Sequence, residues 1–310
     1  RAPEGYAGLA FVALARKNYR DAEKYAGMAI ERDPAFADAH AAKGAALASM
    51  KRGDKWLEDA DASFKRALEL SPDNPRTLLF YGETLLAADR YAEADTCFAR
   101  LGQTGGAFSE KGAALLALSR KLAQARPLTP EGGLIARMSA INRGDLCVLL
   151  IGEFGLTRHL QRHRPEYYQT LYDSETGKPR NRPDVRTDVT GNKSREWIID
   201  VLAAGLPSLG LFPDGYFYPD HPVSRAQLAM VLQDALAEVL GDPSCRTQFE
   251  GTPSAFEDVH PASYAFNGIM FCTENDILIP DTPGRFDPDR TVSGVDALLA
   301  IRATEHMIVR

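Results

Sequence analysis

Small and aromatic residues recur three times along the first 125 residues. Tyr6, Leu9, Tyr19, Ala22, Ala29 and Pro34 set a pattern. It returns as Gly44, Ala60, Phe64, Ala67 and Pro72, and again as Tyr81, Gly82, Tyr91, Ala94 and Phe98. Such recurrence predicts helix pairs stacked side by side. The small residues let paired helices approach closely, while Tyr19, Phe64, Tyr91 and Phe98 fill the space between neighbouring pairs. Asp33-Pro34 and Ser71-Pro72 end the second helix of a pair, because proline disfavours a helical residue before it. The second copy carries a few extra residues in the turn between Lys51 and Asp59, and the segment Phe108–Gln124 reads as one more helix, a cap on the stack.

From Ala125 to Gly133 the chain carries two prolines and two glycines, the composition of a connector, and residues 126–139 are predicted as a linker. Beyond it three stretches resemble one another, at 140–156, 187–236 and 256–301, with an atypical insert at 157–186 expected to be solvated. Asp188-Val189 recurs as Asp258-Val259, 70 residues on. Phe217-Tyr218-Pro219 recurs as Phe286-Asp287-Pro288, and Val223-Ser224 as Val292-Ser293, both 69 residues on. Independent anchors at nearly one offset imply duplication. The expected fold is mainly α: a helical solenoid over 1–125, then a compact pseudo-repeat of helix-loop-helix units over 140–310, with short extended pieces at most.

The best-marked stretch of the second half has readable local chemistry. Pro213-Asp214-Gly215 makes a tight turn in which glycine is free to take positive φ. Phe217 is expected to bury its ring while Tyr216 and Tyr218 offer stacking faces. Ser224 stands one residue before an apolar-periodic helix, the place of an N-cap. Arg225 then lies in the first turn, beside unpaired N–H groups and the positive helix end, a combination that suits an anionic ligand.

Both halves resemble known families. The first resembles a tetratricopeptide stack, which implies a protein partner on the concave face, here Ala7, Phe11, Ala41, Ala45, Leu79 and Glu83. The Lys and Asn residues with which some members clamp a peptide carboxylate are absent from those places. A small, largely apolar groove remains, for a partner helix or for this chain's own second half. The second half resembles an S-layer homology region of three modules, the middle one matching best. That resemblance implies binding of cell-wall glycan, with Arg143 and Arg225 as the matching residues and Trp197, Asp214, Gly215 and Tyr216 as further candidates. Where the family pattern has Thr-Arg-Ala-Glu, the chain reads Asn142-Arg143-Gly144-Asp145, Ser224-Arg225-Ala226-Gln227 and Ser293-Gly294-Val295-Asp296, so the third module lacks the arginine.

Composition narrows the partners. A formal net charge of −6 over 310 residues argues against nucleic acid as the main partner. The longest apolar run, near Leu146 to Gly152, is too short to span a bilayer. The chain opens on Arg-Ala-Pro rather than Met, as expected of a segment of a longer precursor. Its four cysteines form no C-x-x-C pair; Cys245 and Cys272 could join in a disulfide if the chain is exported. His159 and His163 are four apart, but Leu160 stands where a zincin needs glutamate, and Arg158, Arg162 and Arg164 crowd the site. Gly191-Asn-Lys-Ser194 lacks the earlier glycine of a phosphate loop, and Ser208 lacks nucleophile-elbow spacing. No constellation calls for catalysis, a cofactor or a metal. The expectation is a non-catalytic, exported protein of the periplasm or cell surface. It either anchors to cell-wall polysaccharide or peptidoglycan while holding a protein, or is a scaffold subunit whose modules make protein contacts.

Overall fold

The three-fold recurrence in the first 125 residues resolves into helix pairs. These are α1 (Pro3–Ala15) with α2 (Tyr19–Arg32), α3 (Ala37–Met50) with α4 (Trp56–Leu70), and α5 (Pro75–Ala87) with α6 (Tyr91–Gly102), followed by α7 (Gly106–Ala125). The computed structural model describes residues 2–309, and the chain separates into two units, Arg1–Ala123 and Gln124–Arg310.

In the first unit α3 packs against α1, α2, α4 and α5, which makes it the middle of the stack. Glycine and aromatic residues set the spacing. A Cβ on Gly44 would stand 3.0 Å from the Phe64 ring, and one on Gly82 would stand 2.5 Å from the Phe98 ring. The first pair lacks such aromatics and closes on alanine instead, with Ala10, Ala26 and Ala42 wholly buried in one cluster. The side chains of Asn18 and Asn74 cap α2 and α5. A Cβ on Gly112 in α7 would stand 2.6 Å from the Gly102 amide nitrogen at the end of α6, so α7 closes the stack as expected of a cap.

The second unit contains α8 (Pro130–Ala136), α9 (Arg143–Val148) running into a π-helical turn (Leu149–Phe154), α10 (Leu156–His163), α11 (Pro165–Leu171) and α12 (Thr187–Thr190). It continues with α13 (Arg195–Ala204), α14 (Arg225–Leu240), α15 (Phe266–Glu274) and α16 (Gly294–Val309). Among the described residues extended pairing is limited to isolated bridges, two of which join the repeated stretches: Asn142 with Pro222 and Ser224 with Thr291.

Those bridges belong to a closed ring. The Ile141 N–H donates to the Val292 carbonyl, the Val292 N–H to Val223, and the Val223 N–H to Ile141, each at 3.0 Å. One residue later in each stretch the side chain of Asn142, Ser224 or Ser293 accepts from the amide three residues on and caps α9, α14 or α16. The recurrence in sequence is therefore a near-threefold arrangement in space, with three helices starting from one central triangle.

Two segments differ in part from expectation. Residues 126–139, predicted as a linker, follow the boundary between the units but are folded into the second: Thr129 caps α8, with Pro130 at its first position. Glu153, wholly buried in the π-helical turn, holds that helix start. It accepts from the Leu128 and Thr129 amides and the Thr129 hydroxyl at 2.7–3.1 Å, and pairs with Arg302 of α16. The insert 157–186 is exposed over much of its length, as expected, but it is tied to the core. Its Tyr168 and Tyr172 rings stack at 5.0 Å and are buried in the main core. The Tyr172 hydroxyl donates to the Asp200 carbonyl at 2.5 Å. Tyrosines spaced four apart on a short helix supply an apolar face that proximity to basic residues obscured in sequence. Cys245 and Cys272 are free and buried, and the Cys272 thiol donates to the Ala229 carbonyl at 3.3 Å instead of pairing.

The missing third arginine also has a cause. A Cβ on Gly294 would be driven into the Ile135 carbonyl at the end of α8. The start of α16 meets backbone where the starts of α9 and α14 meet a loop, so only glycine fits. Gly294→Ala should cost the second unit about 2 kcal/mol, within the range of overpacking a filled site. Gly8→Ala, in open space on α1, should be neutral or stabilise by about 0.5 kcal/mol. Urea denaturation of both variants checks the contrast.

Burial alone would raise the Glu153 pKa, but the Thr129 hydroxyl, the Leu128 and Thr129 amides and Arg302 outweigh it and hold the carboxyl below its ordinary 4.5. Folding therefore favours the ionised form. This contribution is complete above pH 4.5 and is lost as pH falls through the lower, folded value. Glu153→Gln should destabilise the second unit by about 3 kcal/mol at pH 7 and by clearly less near pH 3, read from denaturant midpoints at both pH values.

Candidate functional site

The arginines expected to meet an anionic ligand are turned inward. Arg143 is 3% exposed and Arg225 6%. Arg143 donates from Nε to the Phe217 carbonyl at 2.9 Å and from Nη2 to the Gly210 carbonyl at 2.8 Å. Its guanidinium lies 4.5 Å from the Phe217 ring centre and 4.9 Å from that of Phe212. Arg225 repeats the arrangement, with Nε donating to Phe286 at 2.8 Å, Nη2 reaching the Ile279 carbonyl at 3.4 Å, and the guanidinium 4.5 Å over the Phe286 ring. Neither arginine makes an ion pair among the described residues. Burial lowers the pKa of both, helped at Arg225 by nearby Arg290. Each is buried and gives two donors to carbonyls, so in place of the expected ligand contact it makes a clasp: the helix start grips the turn of the next module.

The other recurrent residues complete the clasp. Asp188 accepts from the Phe217 and Tyr218 amides at 2.9 and 2.8 Å, and Asp258 accepts from the Phe286 and Asp287 amides at the same distances. Tyr218 and Asp287 both take left-handed backbone, φ +55° and +56°. Gly215 and Gly284, at φ +79° and +77°, turn the loop tips. The duplicate thus separates what the backbone requires from what it tolerates. Phe217 and Phe286, Pro219 and Pro288, and Gly215 and Gly284 are shared. Tyr216, Tyr218 and His221 face Arg285, Asp287 and Arg290 in the copy, so the turn's exposed chemistry is not set by the fold.

In the middle module that chemistry is aromatic. The Arg186 guanidinium lies 4.8 Å over the Tyr216 ring, Tyr216 lies 5.6 Å from Tyr218, and Tyr218 stacks on His221 at 4.7 Å. Asp214, exposed at the turn tip, accepts from the Tyr216 amide and the Tyr218 hydroxyl. These hydrogen bonds hold the Asp214 pKa below its ordinary value. Asp214, Gly215 and Tyr216 therefore form one exposed, self-stacked ledge.

Trp197 lies apart from the ledge. It is partly buried on α13 and lines a cavity of about 250 Å³ with Leu134, Asp145, Val148, Lys193 and Glu131, between α8, α9 and α13. The cavity offers an indole, one cation and two carboxylates, which suits a small polar ring better than a strongly anionic group.

In the first unit a larger cavity, about 640 Å³, runs along the stack and is lined by Phe11, Ala45, Leu79 and Glu83. Of the expected groove residues, Ala7 and Ala41 lie elsewhere: both are buried between helices, 2% and 0% exposed. They serve close packing instead. The aromatic walls Trp56, Phe80 and Phe108 escaped the sequence reading, and Tyr19, expected between helix pairs, lines the groove as well. Trp56 and Phe108 lie outside the repeat's marker positions, so only the stacking of helix pairs brings them to one surface.

Comparison with known families agrees with this division. The tetratricopeptide repeat family matches residues 57–119, which span α4 to α7. The S-layer homology domain family matches residues 209–229, the Pro-Asp-Gly turn and the start of α14. No curated protein matches the chain. No helix among the described residues is long and apolar enough to cross a membrane.

Replacing Arg225 by Met keeps the aliphatic stem but strips the Phe286 and Ile279 carbonyls of their donor. The second unit should lose about 2–4 kcal/mol, and Arg225→Lys should restore less than half, because an ammonium cannot reproduce the planar fork. Guanidinium unfolding monitored by tryptophan fluorescence checks both.

Proposed function

We propose that the protein is a non-catalytic component of the cell envelope, exported to the periplasm or cell surface. Its second unit attaches to cell-wall polysaccharide or peptidoglycan, and its first unit holds a protein partner. The wall-attachment half rests on the match of residues 209–229 to the S-layer homology domain, a family that binds wall glycan. The Trp197 cavity adds a place for the sugar. An indole face packs on the apolar side of a pyranose, while Lys193 and Glu131 supply a donor and acceptors around it. The clasping arginines are not contacts in this reading; they shape the unit that carries the cavity. The partner-holding half rests on the match of residues 57–119 to the tetratricopeptide repeat and on the open aromatic groove of that unit.

Burial of both arginines favours a second reading, in which the modules make protein contacts and the chain is a scaffold subunit of an extracellular or periplasmic assembly. Native mass measurement separates the two: a stable oligomer without wall affinity supports the scaffold.

Co-sedimentation of the full chain with purified peptidoglycan-bearing walls tests the anchor. The chain should pellet, and Trp197→Ala should weaken binding roughly tenfold, the loss of one ring contact. A chain that stays in the supernatant with intact walls overturns wall attachment.

A further inference from the structure

The groove of the first unit carries a charge pattern that specifies its occupant. A second cavity, about 500 Å³, adjoins the aromatic one and shares Lys17, Tyr19 and Ser49 with it. The two together are lined by five cations, Lys17, Arg20, Lys51, Arg52 and Arg76, and by one carboxylate, Glu83. Glu83 is already paired with Lys111 at 3.1 Å, and Arg76 with Asp38 at 2.8 Å. Lys17, Arg20, Lys51 and Arg52 make no ion pair among the described residues. Four unneutralised cations thus gather at one end of an aromatic trough, in a chain whose formal net charge is −6.

The repeat architecture does not require this charge. All four cations stand in or beside the turns of the first two helix pairs. Lys17 and Lys51 hold left-handed backbone there, φ +58° and +47°. The corresponding turn of the third pair holds left-handed backbone with Asp89, φ +58°. Its Arg90 is neutralised by Asp61 and Glu93, both at 2.6 Å. One turn geometry therefore accepts either sign, and the first two copies carry free positive charge beside the groove. Like charges left unpaired around one cavity repel one another, and a bound anion relieves that repulsion.

We infer that the first unit receives an acidic amphipathic segment of another protein. Its apolar side chains enter the trough walled by Phe11, Leu79, Phe80 and Phe108, and carboxylates at one end of its apolar stripe meet Lys17, Arg20, Lys51 and Arg52. This rests on the proposal that the unit holds a protein, and adds the chemistry of that protein. The cations lie on the turns at the groove's edge rather than on its floor. They select for several carboxylates spread along a segment, not for one terminal carboxylate.

Fluorescence anisotropy on the full chain tests it with three labelled helical peptides of about 16 residues. All share one Leu/Phe stripe, and the polar positions at one end are all Glu, all Gln or all Lys. The Glu peptide should bind about tenfold tighter than the Gln peptide near 50 mM salt, the Lys peptide weakest, with the gap closing toward 0.5 M salt. Exchanging Arg20 and Arg52 for glutamate, both outside the apolar packing, leaves two positive and two negative charges at the patch and should abolish the preference for Glu. Phe80→Glu should weaken all three. Equal binding of the Glu and Gln peptides, or an undiminished Glu preference in the charge-exchanged variant, overturns the acidic selection and leaves the partner-holding proposal standing. Binding of none of the three by a chain with intact helical circular dichroism overturns both.

Discussion

Three backbone hydrogen bonds closed in a ring are the constraint from which the second unit follows. Ile141, Val223 and Val292 each give an N–H to one neighbour and a carbonyl to the other. The bonds are far apart in sequence, so each closes a long loop and none forms without its partners. Once the triangle exists, three capped helices start from it at fixed angles. The loop of each following module is then delivered to the preceding helix start. Gly144 and Ala226 donate to the Pro219 and Pro288 carbonyls at 2.8 and 2.9 Å. The arginine beside each of these residues completes the grip.

That grip explains why residues marking a ligand family are internal here. A guanidinium on an aromatic face, with two donors on carbonyls, satisfies buried polar groups a hydrophobic residue would leave unpaired. It also orients the turn it holds, because the same carbonyls belong to the loop bearing Tyr216 and Tyr218. In the proposed wall attachment, contact with the ligand falls one layer outward, from the arginine to what the clasped turn and the neighbouring α13 expose. The first unit is built differently. Each pair needs only its neighbours, with glycine facing an aromatic ring where helices come closest. A groove made this way has walls from several pairs, and its turns are free to vary in charge.

Much of this was legible in the chain. The two halves, the helix pairs, the capping serine at 224, the buried Phe217 and Phe286 and the duplicated turn follow from local patterns: spacing, capping chemistry and turn residues. The clasp was not. Arg225 at the first position of a helix reads equally as a ligand contact or as an inward anchor, because the helix start looks the same in both. What decides is the carbonyl of Phe286, 61 residues away. Trp56 and Phe108 stayed invisible as groove walls for the same reason. The tetratricopeptide resemblance puts Ala7 and Ala41 on the groove, but their short side chains are covered by the adjacent helix.

Sequence by itself determined the kind of elements and, in the first half, their number, since helix period, proline stops and N-caps act over a few residues. It also determined that the second half is a repeat. Tertiary structure alone decided what the third module's glycine is for, where residues 126–139 go, and which cations stand free beside a cavity. Those outcomes depend on which backbone arrives from elsewhere in the chain. The end of α8 arrives at Gly294, a carbonyl arrives at Arg225, and among the described residues no carboxylate within bonding distance arrives at Lys17 or Arg52. Local residue type carries no record of such arrivals.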